Sequence, residues 1–293
     1  MKHLVVSGCS LTISDGVNIG NKNRSWAWAL YEHLKIDNHD LEFHNVGLSG
    51  GGNYLIAMSC IDTVQCLINS GVLAKDIFVV TQWSGLFRPA LYTENLRQNR
   101  KVDFHEMNTE YTNLKNCNFE KGFFVDTAGQ FRRNNPFWLK YLGDYTSTAS
   151  AFIGALDNIT KLQWYLKAQG VKYRMFNGWD IFTVFDKKSE RFGSDIVINK
   201  NQFGEHVYNN INNTLIKDTC PISQGLWDQI DWEYFWTFKN KNIKFGGMMQ
   251  WIQNNVDKNS WYVQPPRDVH PPSETAKIFC KEVILPAMRP NYD

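Results

Sequence analysis

The chain has no C-x-x-C pair among its six cysteines. Cys9, Cys60, Cys66, Cys117, Cys220 and Cys280 are spread along its length, which excludes a zinc knuckle or a dithiol redox pair and suits six reduced, buried thiols. No H-E-x-x-H occurs, and no catalytic metal or other cofactor is expected. Charge of one sign is not concentrated anywhere: 31 basic residues face 29 acidic ones, for a net +2. That leaves nothing to track a nucleic acid or an anionic membrane. No apolar run is long enough to span a bilayer, and the N-terminus lacks a basic stretch followed by an apolar one. A cytoplasmic location without signal peptide or transmembrane segment is the expectation. The Gly50-Gly51-Gly52 run lacks both the P-loop lysine and the G-x-G-x-x-G spacing, so it is a poor phosphate cradle. Internal repeats and low-complexity linkers are missing too.

Hydrophobic residues make up 43% and charged residues 20%, ordinary for a globular protein. Aromatics are plentiful, with 11 tryptophans. Trp227, Trp232, Trp236, Trp251 and Trp261 fall in one late segment. Core packing of an insertion is the expected role; the alternative is a stacking platform for a sugar.

Periodicity alternates strands with helices. Strands are expected at 4–7, 41–46, 77–81 and 171–176, with helices at 25–34, 53–70, 147–169, near 248–254, and from 273 to about 285. Ser273 is the expected N-cap of the last helix. This βαβ alternation argues for a parallel sheet with right-handed crossovers. The segments at about 88–145 and 187–246 are polar, Asn-rich and without clean period, and read as insertions in a single domain over 1–293.

Chemistry concentrates at two distant points. Leu4-Val5-Val6-Ser7-Gly8-Cys9-Ser10-Leu11 is an apolar, β-branched run that stops in turn residues, which suits a strand buried on both faces. Ser10 then sits just past its carboxyl end, where open α/β sheets bind ligands. A serine hydroxyl needs a base and a group that orients the base. Asp268-Val269-His270-Pro271 offers both, since residues two apart on an extended backbone share a face. Taken singly, a Gly-x-Ser after a strand is an ordinary turn, and Asp-x-His-Pro is an ordinary helix boundary. Cys9 is read as a buried thiol, and His3, His33, His44, His105 and His206 as structural or surface residues.

Together these blocks resemble the SGNH, or GDSL-like, serine hydrolases, and in style a branch common in bacteriophages. Gly8-Cys9-Ser10-Leu11 is similar to the Gly-Asp-Ser-Leu block, with Cys9 in place of aspartate. Asn45-Val46-Gly47-Leu48-Ser49-Gly50 matches the second block, and Gln82-Trp83-Ser84 falls where the family has Gly-x-Asn. Arg267-Asp268-Val269-His270-Pro271 matches Asp-x-x-His-Pro with the aspartate shifted by one.

The resemblance implies a three-layer α/β/α sandwich of flavodoxin-like type with a mainly parallel sheet. It also implies hydrolysis of an acyl ester through an acyl-Ser10 intermediate. His270 would be the general base and Asp268 its orienter. Gly50 would give an oxyanion N–H, and the missing donor would come from Ser84, Gln82, Asn53 or nothing. The expected partner is a small-molecule or carbohydrate ester, such as an O-acylated sugar. Acyl transfer through the same Ser/His pair, and a non-catalytic binding or structural role on the same fold, are the alternatives.

Overall fold

The computed structural model describes residues 1–13, 25–48, 51–86, 88, 90–92, 123–125, 147–183, 215–261 and 270–288. Its centre is β1 (His3–Ser7), buried from its second residue onward. From Leu4 onward its side chains are apolar or hydroxyl on both faces, and β1 has a neighbour on each edge. It pairs in parallel with β2 (Glu42–Asn45) through His3↔Glu42 to Val6↔Asn45, and with β3 (Ile77–Trp83) through His3↔Ile77 to Ser7↔Thr81. β3 is buried at every position. It pairs with β6 (Lys172–Asn177), and β6 pairs with β7 (Phe235–Trp236). The five-stranded sheet is all-parallel in the order β2-β1-β3-β6-β7. That is the flavodoxin-like order, whose direction of winding reverses between β1 and β3. A separate antiparallel pair joins β4 (Ala90–Tyr92) to β5 (Phe123–Val125), inside the first segment expected to be an insertion.

Helices cover both faces. On one face, α3 (Asn53–Asn69) lies against β1 and β3. Ser7 Oγ donates to Ile56 O at 3.2 Å, and Cys60 Sγ lies 3.6 Å from Thr81 Oγ1. Beside it packs α4 (Thr148–Gln169), which starts on a reciprocal cap between Ser147 and Ser150. It stops at Gly170, whose φ of 72° lies in the left-handed region that glycine enters at least cost. On the opposite face lie α2 (Trp26–Asp37) and, after the single-turn helices α5 (Ile216–Thr219) and α6 (Gln224–Trp227) and the short α7 (Met248–Asn255), the C-terminal α8 (Ser273–Phe279). Ser25 caps α2 by accepting from Trp28 N. Trp26 meets Phe176 edge-on at 5.0 Å between centroids, and Phe279 of α8 meets the same ring at 5.6 Å. Burying each such side chain stabilises the fold by about 1.5–3 kcal/mol.

Three expectations change. First, β7 lies within the second segment read as irregular. It is two residues long, too short to show alternation, yet Met175 N donates to Tyr234 O at 2.9 Å at its entrance. Second, Ser273 is the first helical residue of α8 and not its cap, because Pro272 occupies that position without a side-chain bond. The helix continues as a π-turn over Cys280–Ile284 and a last α-turn over Leu285–Met288. Third, Cys66, half-buried on α3, is disulfide-bonded, whereas Cys9, Cys60, Cys220 and Cys280 are buried free thiols.

The late tryptophans are packing elements. Trp227 and Trp232 form an aromatic cluster with Phe182, Phe235 and Phe245. Trp236 and Trp251 close on Phe279.

Candidate active site

Just past β1 the chain turns into α1 (Ser10–Ile13), with Thr12 N donating to Cys9 O at 2.8 Å. Cys9 and Leu11 are buried on either side, while Ser10 between them is half-buried. One turn therefore anchors two side chains in the core and leaves the Ser10 hydroxyl at the edge. This edge is the carboxyl end of β1, at the switch point between β1 and β3.

Gln82, on the neighbouring strand, fixes the turn. Its Oε1 accepts from Thr12 Oγ1 at 3.0 Å and from the Cys9 thiol at 3.5 Å. Its Nε2 donates to Trp83 O at 2.7 Å and to Cys9 Sγ at 3.5 Å. Both amide protons are engaged and the side chain is wholly buried, so Gln82 holds the Ser10 turn and has no donor left for a ligand. Two glycines make room for it. A Cβ on Gly8 would lie 2.0 Å from Thr12 Oγ1, and one on Gly178 would lie 2.5 Å from Gln82 Nε2.

The segment after β2 is tied to the same turn. Val46 N donates to Val6 O, Leu48 N to Gly8 O and Gly51 N to Leu48 O, all at 2.8–2.9 Å. Asn45 braces both sides, its Nδ2 donating to Thr12 O at 3.2 Å and its Oδ1 accepting from Gly47 N at 3.1 Å. The positioning work of Thr12 was not legible in the sequence, since a threonine two residues past a serine carries no signal of its own. Gly50 lies outside the described residues.

Ser84 and Asn53 come together. Asn53, the first residue of α3, accepts from Ser84 N through Oδ1 at 2.8 Å. Both are buried, and Ser84 Oγ has no hydrogen-bond partner. Of the three side chains expected as oxyanion donors, Ser84 thus has its hydroxyl proton uncommitted. Asn53 commits its carboxamide oxygen to Ser84 N, a bond that uses neither of its amide protons, whereas both amide protons of Gln82 are engaged at the base of the turn.

His270 is half-buried and precedes Pro271, Pro272 and α8. The direction of α8 places it. Phe279 rests on Phe176 near the end of β6, while the later Ala287 O accepts from Nε of Arg174, two residues nearer the start of that strand. The helix therefore runs antiparallel to β6, and its N-terminal end projects toward the carboxyl edge. α8 packs on α2, which α1 also meets, so the turn bearing Ser10 and the N-terminal end of α8, three residues past His270, lie in one layer. Asp268 lies outside the described residues.

At the opposite edge, His3 Nδ1, His44 Nε2 and Glu42 Oε2 lie 3.2–3.8 Å apart. Two imidazoles and a carboxylate form a donor set that suits zinc. The rings, however, are 5.5 Å apart between centroids with 3.2 Å between the nitrogens, so each nitrogen points almost straight at the other. Lone pairs converging on a shared ion would draw the rings closer. The geometry is that of a histidine–histidine hydrogen bond. Burial, and then the neighbouring His3, hold the His44 imidazole down at about 4. Burial likewise pushes the Cys60 and Cys280 thiols up to about 12, which keeps both from acting as nucleophiles near neutral pH.

No family model matches the chain, and no curated protein matches it. Solved structures do show likeness. The psychrotrophic esterase EstA from Pseudoalteromonas sp., in a structure inhibited by monoethylphosphonate, aligns over 99% of this chain and 98% of its own at 10% identity and a TM-score of 0.43. TesA aligns over 99% of each chain at 11% identity and a TM-score of 0.40. The Bacillus subtilis protein YXIM gives 11% identity and a TM-score of 0.44 over 99% of this chain, which spans only 57% of that one. At such TM-scores the likeness carries no argument, and the fold stands on the strand order and register given above. No helix among the described residues is long and apolar enough to cross a membrane.

Proposed function

We propose that the protein is a serine hydrolase of the SGNH type, acting on small polar esters through Ser10, within a single domain. The observation that carries the proposal is the placement of Ser10. It is the half-buried residue of a turn braced by Gln82, Thr12 and Asn45, at the switch point of a parallel sheet, on the edge toward which the N-terminal end of α8 projects.

In this reading His270 takes the proton from Ser10 Oγ as it attacks the ester carbonyl, and Asp268 orients the imidazole. The carbonyl oxygen becomes an oxyanion held by the N–H groups of Ser10 and Gly50 and by the Ser84 hydroxyl. Asn53 fixes the Ser84 backbone. The tetrahedral adduct collapses, the C–O bond to the alcohol breaks, and His270 returns the proton to that leaving oxygen. Water then adds to the acyl-Ser10 carbonyl with His270 as base, releasing the acid and restoring the serine.

Labelling with a fluorophosphonate probe, followed by peptide mapping, tests this reading. The probe is expected on the peptide carrying Ser10 and absent from the Ser10→Ala and His270→Ala variants. Labelling elsewhere, or hydrolysis of 4-nitrophenyl esters that survives Ser10→Ala, sinks it.

A further inference from the structure

At the carboxyl ends of β3 and β6 the chain buries more hydrogen-bond donors than it satisfies. Asn177, the last residue of β6, is fully buried, and neither atom of its carboxamide has a partner. Trp179 is buried with its Nε1–H unpartnered. Arg88 lays its guanidinium 4.9 Å from the centroid of the Trp179 ring, and its Nε and Nη1 are buried without a partner.

The protein's own contacts bring Arg88 onto Trp179 and set the Asn177–Trp179 segment beside the turn that carries Ser10. Trp83 is the register partner of Asn177, and Gly178 N donates to Trp83 O at 2.9 Å. Arg88 packs its carbonyl oxygen where a Cβ on Gly52 would sit, at 1.8 Å, beside the Asn53 that holds Ser84. A Cβ on Gly178 would lie 3.1 Å from Cδ1 of Leu11, the residue after Ser10. Buried amides and indoles without partners destabilise a fold, and a guanidinium, charged in any protein environment, does so more. The Trp179 ring face offsets only part of that cost. Such groups call for a partner beyond the chain's own hydrogen bonds, a water, an ion or a ligand.

We infer that Arg88, Asn177 and Trp179 form a subsite for a free carboxylate, and that the substrates of Ser10 are esters carrying one. The guanidinium supplies the charge, and the Asn177 amide and the Trp179 indole donate to the carboxylate oxygens. One guanidinium balances one negative charge, which suits a carboxylate rather than a phosphate dianion. The word substrate rests on the hydrolase reading above; the binding of the carboxylate does not.

The test is calorimetric titration of the full-length Ser10→Ala chain with monomethyl succinate and with methyl butyrate, which differ in a terminal carboxylate against a methyl group. Monomethyl succinate is expected to bind about tenfold tighter or more, a difference of roughly 1.4 kcal/mol or greater. Arg88→Gln should erase the preference. Asn177→Leu, similar in volume and without hydrogen bonds, should weaken monomethyl succinate several-fold and leave methyl butyrate unchanged. Equal affinity for the two ligands overturns the inference and needs no Arg88 or Asn177 variant, so a misfolded variant cannot shelter it. An unchanged preference in a folded Arg88→Gln chain overturns it as well, and tighter binding of methyl phosphate than of monomethyl succinate overturns the carboxylate assignment. A chain with the carboxylate preference but no probe at Ser10 keeps this subsite and loses the proposed function. Labelling at Ser10 without the preference does the reverse.

Discussion

His44 makes the fold acid-sensitive, and the size of the effect follows from its surroundings. The imidazole is buried beside β1, its Nδ1 has no partner, and its Nε2 faces His3 Nδ1 at 3.2 Å. Burial is the larger cause, and the His3 charge the smaller, of a folded value of about 4 against the ordinary 6.5. Above about pH 6.5 neither state binds the proton, and stability is unaffected. Between that point and about pH 4 the unfolded chain takes a proton that the folded chain refuses, so stability falls as pH falls. Each pH unit is worth ~1.36 kcal/mol, and the whole window amounts to about 3 kcal/mol. That is a large part of a typical domain's margin. Urea unfolding of the wild type and of His44→Gln, measured from about pH 7 down to about pH 4, reads this out. Carboxylates titrating in the same range act on both proteins, so the difference between the curves isolates His44. The wild type is expected to lose about 3 kcal/mol relative to the variant across the window. His3→Ala, which removes the smaller cause, should narrow the loss without abolishing it. Parallel curves for wild type and His44→Gln would refute the reasoning.

Other perturbations follow from the site. Gln82→Ala leaves Thr12 Oγ1 without its partner, removes one of the two donors to Trp83 O and opens a cavity, so it is expected to cost about 2–4 kcal/mol and to lower the melting temperature. Gly247→Ala would bring a Cβ within 2.4 Å of Asn177 O, a backbone atom with little room to give, and is expected to destabilise by about 2 kcal/mol or more in chemical denaturation. Ser84→Ala should lower kcat on 4-nitrophenyl esters by roughly tenfold to a hundredfold with KM little changed, because the lost donor acts on the oxyanion. An unchanged kcat there assigns the oxyanion to backbone N–H groups alone. Asn53→Leu, which frees the Ser84 N–H, should reduce kcat alongside it and lower stability by about 1–3 kcal/mol.

What the sequence displayed, and what it hid, divides along a physical line. Strands buried on both faces leave an unbroken apolar run, so Leu4-Val5-Val6 and Ile77-Phe78-Val79-Val80 were readable, as were the helices at 53–69 and 148–169 with their stripes and stops. β7 was not, because two residues hold no period and the strand exists only through the edge that β6 offers it. The same distinction governs the site. Ser10, His270 and Ser84 lie in segments that local composition marks, and the fold carries the Ser10 turn and the N-terminal end of α8 to one edge. The groups that hold or extend the site are marked only by what they touch. Gln82 could be read as a donor from its position, but Cys9 Sγ and Trp83 O take its two amide protons while Thr12 Oγ1 donates to its oxygen. Arg88 and Asn177 carry no motif and become conspicuous only when burial leaves their polar atoms without partners. A residue's chemistry is legible in the sequence, whereas the availability of that chemistry depends on which hydrogen bonds the fold has already closed. This is why Gln82 passes from candidate donor to brace, and Asn177 from an unremarked strand end to a binding group.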